Sequence, residues 1–271
     1  MPAFYAHDAF GILVYQALPA PLKEAFGNFE NTLSLGFQGP DILFYYKPFS
    51  SSETKKKGMD MHLRSAKDFF AECAKKIVAQ PTQEVRRTAL AAYVAGFICH
   101  FSLDNACHGH IYQLEDTGVS HGRIESEFDK HMKRRQGKKI HKNAAKYVND
   151  KEGTSLAVAA ALDVQQKEAK KAMKTIKRVN GLFSSRSKLF HKFAYFFLRK
   201  VKAEKFGEMF LHFADDPACN GLNPTLEERL HAAVRPTADR IVRYFENLEQ
   251  IAQTGEIDQE FDRDYTGDKI V

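Results

Sequence analysis

The chain has 271 residues, 44% of them hydrophobic and 27% charged, which excludes a disordered chain and is enough for a packed core. Its net charge is +6, and its four cysteines, with no CxxC pair, exclude a disulfide scaffold. The start Met1-Pro-Ala-Phe-Tyr-Ala-His-Asp8 is not that of a signal peptide, and the longest apolar stretch, 89–99, is shorter than the roughly 20 residues that span a bilayer, so the expectation is a cytoplasmic protein.

Helical spacing dominates, and no run of β-branched residues alternates with period two. The predicted fold is all-α: one multi-helix domain over 1–271, with a chemistry-bearing core in 1–132 and a helical extension in 133–271. A first helix is predicted over 7–17, ended by Pro19 and Pro21. The glycines and proline of Gly36-Phe-Gln-Gly-Pro-Asp41 predict a turn. A helix over 58–79 places Leu63, Ala66, Phe70, Ala74 and Ile77 on one stripe, and Pro81 stops it. The next, over 83–106, is apolar on most sides and therefore central. Shorter helices are predicted over 120–134 and 141–149. A long one over 155–178 has Thr154 as N-cap. Another, over 186–201, is rich in aromatic residues (Phe190, Phe193, Tyr195, Phe196, Phe197), which read as packing or, alternatively, as a lipid pocket. The last begins after Pro224, where Thr225 and Glu228 have capping-box spacing, and Pro236 should kink or split it.

Charge is unevenly spread. Residues 130–178 hold 15 basic and 4 acidic side chains, whereas 256–271 hold 6 acidic and 2 basic. The basic stretch is either a solvated face or a surface for phosphate-bearing molecules or an anionic membrane. No recognised nucleic-acid-binding motif accompanies it.

Five of the 11 histidines fall between positions 100 and 131. His100, Asp104 and His108 are spaced i, i+4, i+8, which puts all three in one sector of a helix. His121 and Glu125 repeat the i, i+4 spacing. Imidazole and carboxylate at that spacing can chelate a divalent ion, and two such helices side by side can hold more than one. A carboxylate at Asp104, inside the apolar run Phe97-Ile-Cys-His-Phe-Ser-Leu-Asp104, is costly to bury without a counter-charge. The competing reading is a set of His–carboxylate hydrogen bonds in a core. His141, His191, His212 and His231 are isolated, Cys99 reads as a small core residue, and Asp129 is placed either to orient a ligand or on an exposed face.

Phe37-Gln-Gly-Pro-Asp-Ile-Leu-Phe-Tyr45, Met59-Asp-Met-His62, Ala95-Gly-Phe-Ile-Cys-His-Phe-Ser-Leu-Asp-Asn-Ala-Cys-His108 and His121-Gly-Arg-Ile-Glu125 occur in that order, with His7 before them. Together, over residues 5–132, they resemble the zinc-dependent phospholipase C family, whose all-helical fold and trinuclear zinc site are shared by the S1/P1-type nucleases. The resemblance implies zinc, two or three ions. Asp41, His62, His100 and Asp104 would hold one; His108, His121 and Glu125 a second; His7 and bridging Asp104 part of a third. It further implies Asp41 as general base and a zinc-activated water attacking a phosphodiester.

Three departures stand out. Secreted members complete the third site with an N-terminal tryptophan, and this chain has no tryptophan; a third site is therefore expected to be weak, empty or completed differently. The longer ligand spacing of secreted members would select His110, whereas the His-x-x-x-Asp-x-x-x-His spacing of intracellular relatives selects His108. Gly109 stands where relatives often have proline, which should loosen a turn. The implied substrate is a phospholipid or a smaller phosphate-bearing molecule. A nuclease-like or nucleotide phosphohydrolase, with Tyr45 or Tyr46 stacking a base, and a non-catalytic metal-stabilised scaffold are the alternatives.

Overall fold

One helix organises the molecule because its apolar run must be covered on every side. The computed structural model describes residues 4–79, 84–116, 118–200 and 204–267, with side chains omitted at 84–88 and 204–206. In chain order its α-helices are α1 (Phe4–Ala17), α2 (Ala20–Gly27), α3 (Glu30–Gly36), α4 (Glu53–His62), α5 (Lys67–Val78), α6 (Glu84–Glu115), α7 (His121–Arg135), α8 (Thr154–Leu162), α9 (Gln166–Phe183), α10 (Lys188–Lys200), α11 (Leu222–Glu246) and α12 (Leu248–Thr254). Short 3-10 segments lie at Gly39–Tyr45, Ala144–Tyr147, Glu204–Met209, Pro217–Cys219 and Gln259–Phe261. There is no strand among the described residues.

α6 is the axis. Every residue from Ala89 to Asp104 is buried on it, and α1, α3, α8 and α11 pack around it. The closest approach is at α3, where a Cβ on Gly36 would collide with the Tyr93 carbonyl and one on Gly96 with the Leu33 carbonyl. Only two facing glycines allow backbones so near. This crossing presses the Gly39–Tyr45 segment against α6. Gly39 itself has φ of +47°, and a Cβ there would strike the His100 ring.

Several element boundaries differ from the sequence-based expectation. The 58–79 helix is two helices, α4 and α5, broken at 63–66. Leu63 is 71% exposed, not on the buried stripe. The break frees backbone groups for the C-terminal segment: Ala66 N donates to Arg263 O at 3.0 Å and Tyr265 N to His62 O at 3.4 Å. The central helix continues past 106 to Glu115, so Gly109 lies within a helix and loosens no turn. Over 141–149 only the Ala144–Tyr147 3-10 turn forms. The 155–178 helix is split at Asp163, whose φ is +49°, and α9 restarts with a capping box between Gln165 and Glu168. Thr154 is inside α8, after Gly153, and its buried hydroxyl meets Asn31 and Thr32 instead. α11 begins at Leu222, ahead of Pro224, and runs through Pro236; the division comes at Asn247. Pro81 lies outside the described residues.

Residues beyond 132 pack directly on the first part. α11 lies on α1 and α6, and α12 on α5. The acidic C-terminal segment returns to the histidine-bearing helices: Asn105 Nδ2 donates to Asp264 O at 2.9 Å, and Tyr265 is fully buried. Much of the early basic stretch is used internally. Lys130, buried, pairs with Glu127 and Asp215, Arg134 with Asp215, and Arg135 with Glu227.

Candidate metal centre

Five segments converge on one buried place. α6 contributes His100, Asp104 and His108 from successive turns of one face. α1 brings His7, the Gly39–Tyr45 turn brings Asp41, the last residue of α4 is His62, and α7 starts with His121 and carries Glu125 one turn later. The positions fall into three groups: His7, His100 and Asp104; Asp41, His62 and His100; His108, His121 and Glu125. Within each group, one nitrogen or oxygen from every side chain lies within 4.8 Å of the others. His100 is common to two groups, and Asp104 reaches the third through His108 Nδ1 at 3.7 Å. His110 is half-buried and belongs to none of them.

Asp104 is bracketed. Its Oδ1 is 3.2 Å from His7 Nε2 and its Oδ2 is 3.1 Å from His100 Nε2, while the His7 and His100 rings stack at 4.4 Å. His62 Nε2 is 3.1 Å from Asp41 Oδ1. His121 Nε2 is 3.1 Å from Glu125 Oε1, and His108 Nε2 3.6 Å from the same oxygen.

The other ring nitrogen explains the orientation. His62 Nδ1 lies 2.7 Å from Gly58 O, His100 Nδ1 3.2 Å from Phe37 O, His108 Nδ1 3.2 Å from Tyr265 O, and His121 Nδ1 3.1 Å from Glu115 Oε1. Each Nδ1 thus has an acceptor and so carries the ring's single proton when the imidazole is neutral. Each Nε2 of a neutral ring then presents a lone pair towards a carboxylate, although at His62 and His108 the neighbouring carboxylates raise the pKa and favour a proton there in the metal-free protein.

Two lone pairs facing each other repel unless a cation lies between them. At His100 a proton is disfavoured: burial, and the nearby His7, outweigh Asp104 and hold its pKa below the ordinary value. Burial would raise Asp104, but His100, His108 and His7 hold it well down, so it is a carboxylate. His100 Nε2, Asp104 Oδ2 and Glu125 Oε2 are buried without a hydrogen-bond partner. Glu125 and Asp41 are likewise shifted down by their histidines against the effect of burial. Buried nitrogens and anionic oxygens with unused lone pairs are the donor set that zinc takes, so these residues fit the metal.

The place is closed behind and open in front. The side chains of His100 and Asp104 are 0% and 3% exposed, whereas His62 and His121 keep 21% and 23%. Beside Glu125 lies a cavity of about 30 Å³ lined by Ser126, Asp129 and Lys133 among others, room for about one water.

Several participants carry no sequence signal. Tyr265 supplies the carbonyl to His108 and its ring lies 4.9 Å from that of His62. Glu115 orients His121. Asp129 is neither exposed nor bonded to a ring: it accepts from the amides of Tyr5 and Ala6 at 3.0 and 2.8 Å, holding the start of α1. Tyr45 is 3% exposed, and Tyr46 lies beneath Lys47 and Lys171; Phe44 is the ring that stacks on His62, at 5.6 Å. Cys99 is buried, its thiol pushed up by desolvation. His141, His191, His212 and His231 belong to none of the three groups. Met1 and Pro2, on which the expectation about a terminal ligand falls, lie outside the described residues.

Fold and site together define an all-helical protein whose five buried or half-buried histidines and three carboxylates form candidate metal-binding groups. The family model of zinc dependent phospholipase C matches residues 1–175, and the chain belongs to that family. The match extends past the motif-bearing 5–132, through α8 and into α9. No match was found among curated proteins or among solved structures. Among the described residues, no helix is long and apolar enough to cross a membrane.

Proposed function

We propose that this protein is a zinc-dependent phosphodiester hydrolase, with His7, Asp41, His62, His100, Asp104, His108, His121 and Glu125 as ligands of a polynuclear site. The observation that carries the reading is the pair His100 Nε2 and Asp104 Oδ2, 3.1 Å apart and both buried without a hydrogen-bond partner. Zinc, when bound, lowers the pKa of a water to about 7 and neutralises phosphate oxygens.

The chain's own groups have distinct tasks. His62, His100, His108 and His121 keep Nε2 free because Nδ1 is committed elsewhere. Asp104 joins the His7 side to the His108 side. Asp41, kept ionised by His62 and His100, is the group assigned to take the proton of the attacking water. Burial of His100 and Asp104 excludes bulk water from the rear, and the exposed rim at His62 and His121 is where a phosphoester would enter. The substrate is a phospholipid or a smaller phosphodiester. The exposed rim favours hydrolysis over a purely structural metal, which would be closed and four-coordinate. Tyr45 is buried and Tyr46 lies beneath Lys47 and Lys171, so neither tyrosine supports stacking of a nucleobase.

Metal content per chain, measured on protein purified without chelator, tests the reading alongside hydrolysis of bis(p-nitrophenyl) phosphate. The expected result is two or more zinc ions, lost together with turnover in Asp104→Ala. Zinc-loaded protein that hydrolyses no phosphoester, or an Asp104→Ala variant that keeps all its metal, would overturn it.

A further inference from the structure

The aromatic helix α10 is attached by one side and presents its apolar residues on the other. His191 and Leu198 are buried, and the Tyr195 hydroxyl bonds to Gly207 O and His212. The opposite face carries Leu189 at 78% exposure, Phe193 at 68%, Phe196 at 58% and Phe197 at 51%. Their i, i+4, i+7, i+8 spacing makes one stripe about 100° wide. A surface helix ordinarily shows water its polar side; this one shows the reverse.

The rim of the stripe has one sign. Lys188, Lys192, Arg199 and Lys200 are exposed on the same helix, Arg186 is exposed just before it, and no acidic residue occurs from Ser184 to Lys200. Lys200 Nζ sits 4.7 Å above the Phe196 ring. Large apolar side chains without polar atoms, flanked along their own helix by cations and by no acid, match a medium that is hydrocarbon beneath and anionic at its edge. The basic stretch from 130 offers less, because Lys130, Arg134 and Arg135 are already paired.

We propose that α10 is a docking helix for an anionic lipid bilayer. Leu189, Phe193, Phe196 and Phe197 enter the boundary between headgroups and acyl chains, and Lys188, Lys192, Arg199 and Lys200 meet lipid phosphates. The helix is coupled to the metal centre: the Glu204–Met209 turn packs on both α10 and α7, and Glu208 lies against Gly122, the neighbour of His121. Docking therefore holds the helix of His121 and Glu125 in a set relation to the lipid surface. The proposal is independent of the hydrolase reading.

The natural chain has no tryptophan, so Phe196→Trp installs a single reporter. Its emission is expected to shift to the blue on adding phosphatidylcholine vesicles that contain phosphatidylglycerol, and not with phosphatidylcholine alone. In flotation, Phe193→Ser with Phe196→Ser should lower the bound fraction about ten-fold or more, given the apolar area removed. Lys188→Gln with Lys192→Gln should weaken binding at low salt and reduce its salt dependence, leaving the part carried by Arg199 and Lys200. The serine pair should leave hydrolysis of a soluble phosphodiester unchanged, and Asp104→Ala should leave vesicle binding unchanged. Three results would overturn the proposal: no blue shift, a serine pair that floats as well as wild type, or vesicle binding lost with Asp104. So would a wild-type dimer that the serine pair dissociates, since a second copy would then cover the face.

Discussion

Asp129 and Ala6 are 123 positions apart, and the Asp129 carboxylate accepts the Ala6 amide at 2.8 Å, next to its bond from Tyr5. An acid on α7 thus caps the first turn of α1, where the amides lack helical partners. His7 follows directly. The position of His7 against Asp104 is set from α7.

Asp129→Ala should therefore act on two levels. Loss of two hydrogen bonds to a charged acceptor should cost about 2 kcal/mol of stability. His7 should also lose its place, so the metal associated with it should bind more weakly while the His108, His121 and Glu125 group is kept. Urea denaturation together with metal stoichiometry reads both. A variant with normal stability and full metal content would show that α1 is held by other contacts.

Glu115 orients His121 from the last turn of α6. Removing such an orienting acceptor typically costs 10–100-fold in metal affinity, so Glu115→Ala should weaken zinc binding by about that factor. Glu115→Gln, whose amide oxygen can still accept from Nδ1, should recover most of the loss. Equal affinities in a competition titration against a chromogenic chelator would rule out the orienting role.

Metal uptake should depend on pH through His108. Burial lowers its pKa, but Asp104 and Glu125 outweigh burial and raise it to about 9 in the metal-free protein. Below that pH the ring binds a proton that a metal must displace. Apparent zinc affinity of this group should therefore rise with pH, by about 100-fold between pH 6 and 8, with release of a proton. Calorimetry in two buffers of different ionisation enthalpy measures that proton directly. An affinity independent of pH across this range would contradict it.

Gly96→Ala should destabilise the whole fold. The added methyl would meet the Leu33 carbonyl and the Gly36 backbone, neither of which has a side-chain torsion to relieve the contact. Overpacking of this kind costs about 2 kcal/mol. The denaturation midpoint should fall with the slope unchanged, and metal affinity should fall with it, because α3 positions the Gly39 turn against His100. An unchanged midpoint would mean the two helices can separate freely.

The all-α class and the central helix were readable because hydrophobic spacing and composition depend on local sequence. The helical intervals of His100, Asp104 and His108, and of His121 and Glu125, were readable for the same reason: the geometry of one helix fixes them. Element ends were less legible. The break between α4 and α5, and that between α8 and α9, sit in stretches with continuous helical propensity, and tertiary bonds such as Ala66 N to Arg263 O decide the first. The orientation of the aromatic helix was also invisible, because an amphipathic pattern says that a face differs and not which way it turns.

The sequence alone therefore determined the helical class, the family resemblance and the residue types able to bind metal. Tertiary structure decided which nitrogen of His100 and His108 points inward, since Phe37 and Tyr265 supply the acceptors from elsewhere in the chain. It also decided that Asp129 holds α1 and that α10 faces outward. Those relations join residues far apart in the chain, and only the packing that brings distant backbone and side-chain groups within hydrogen-bonding distance can set them.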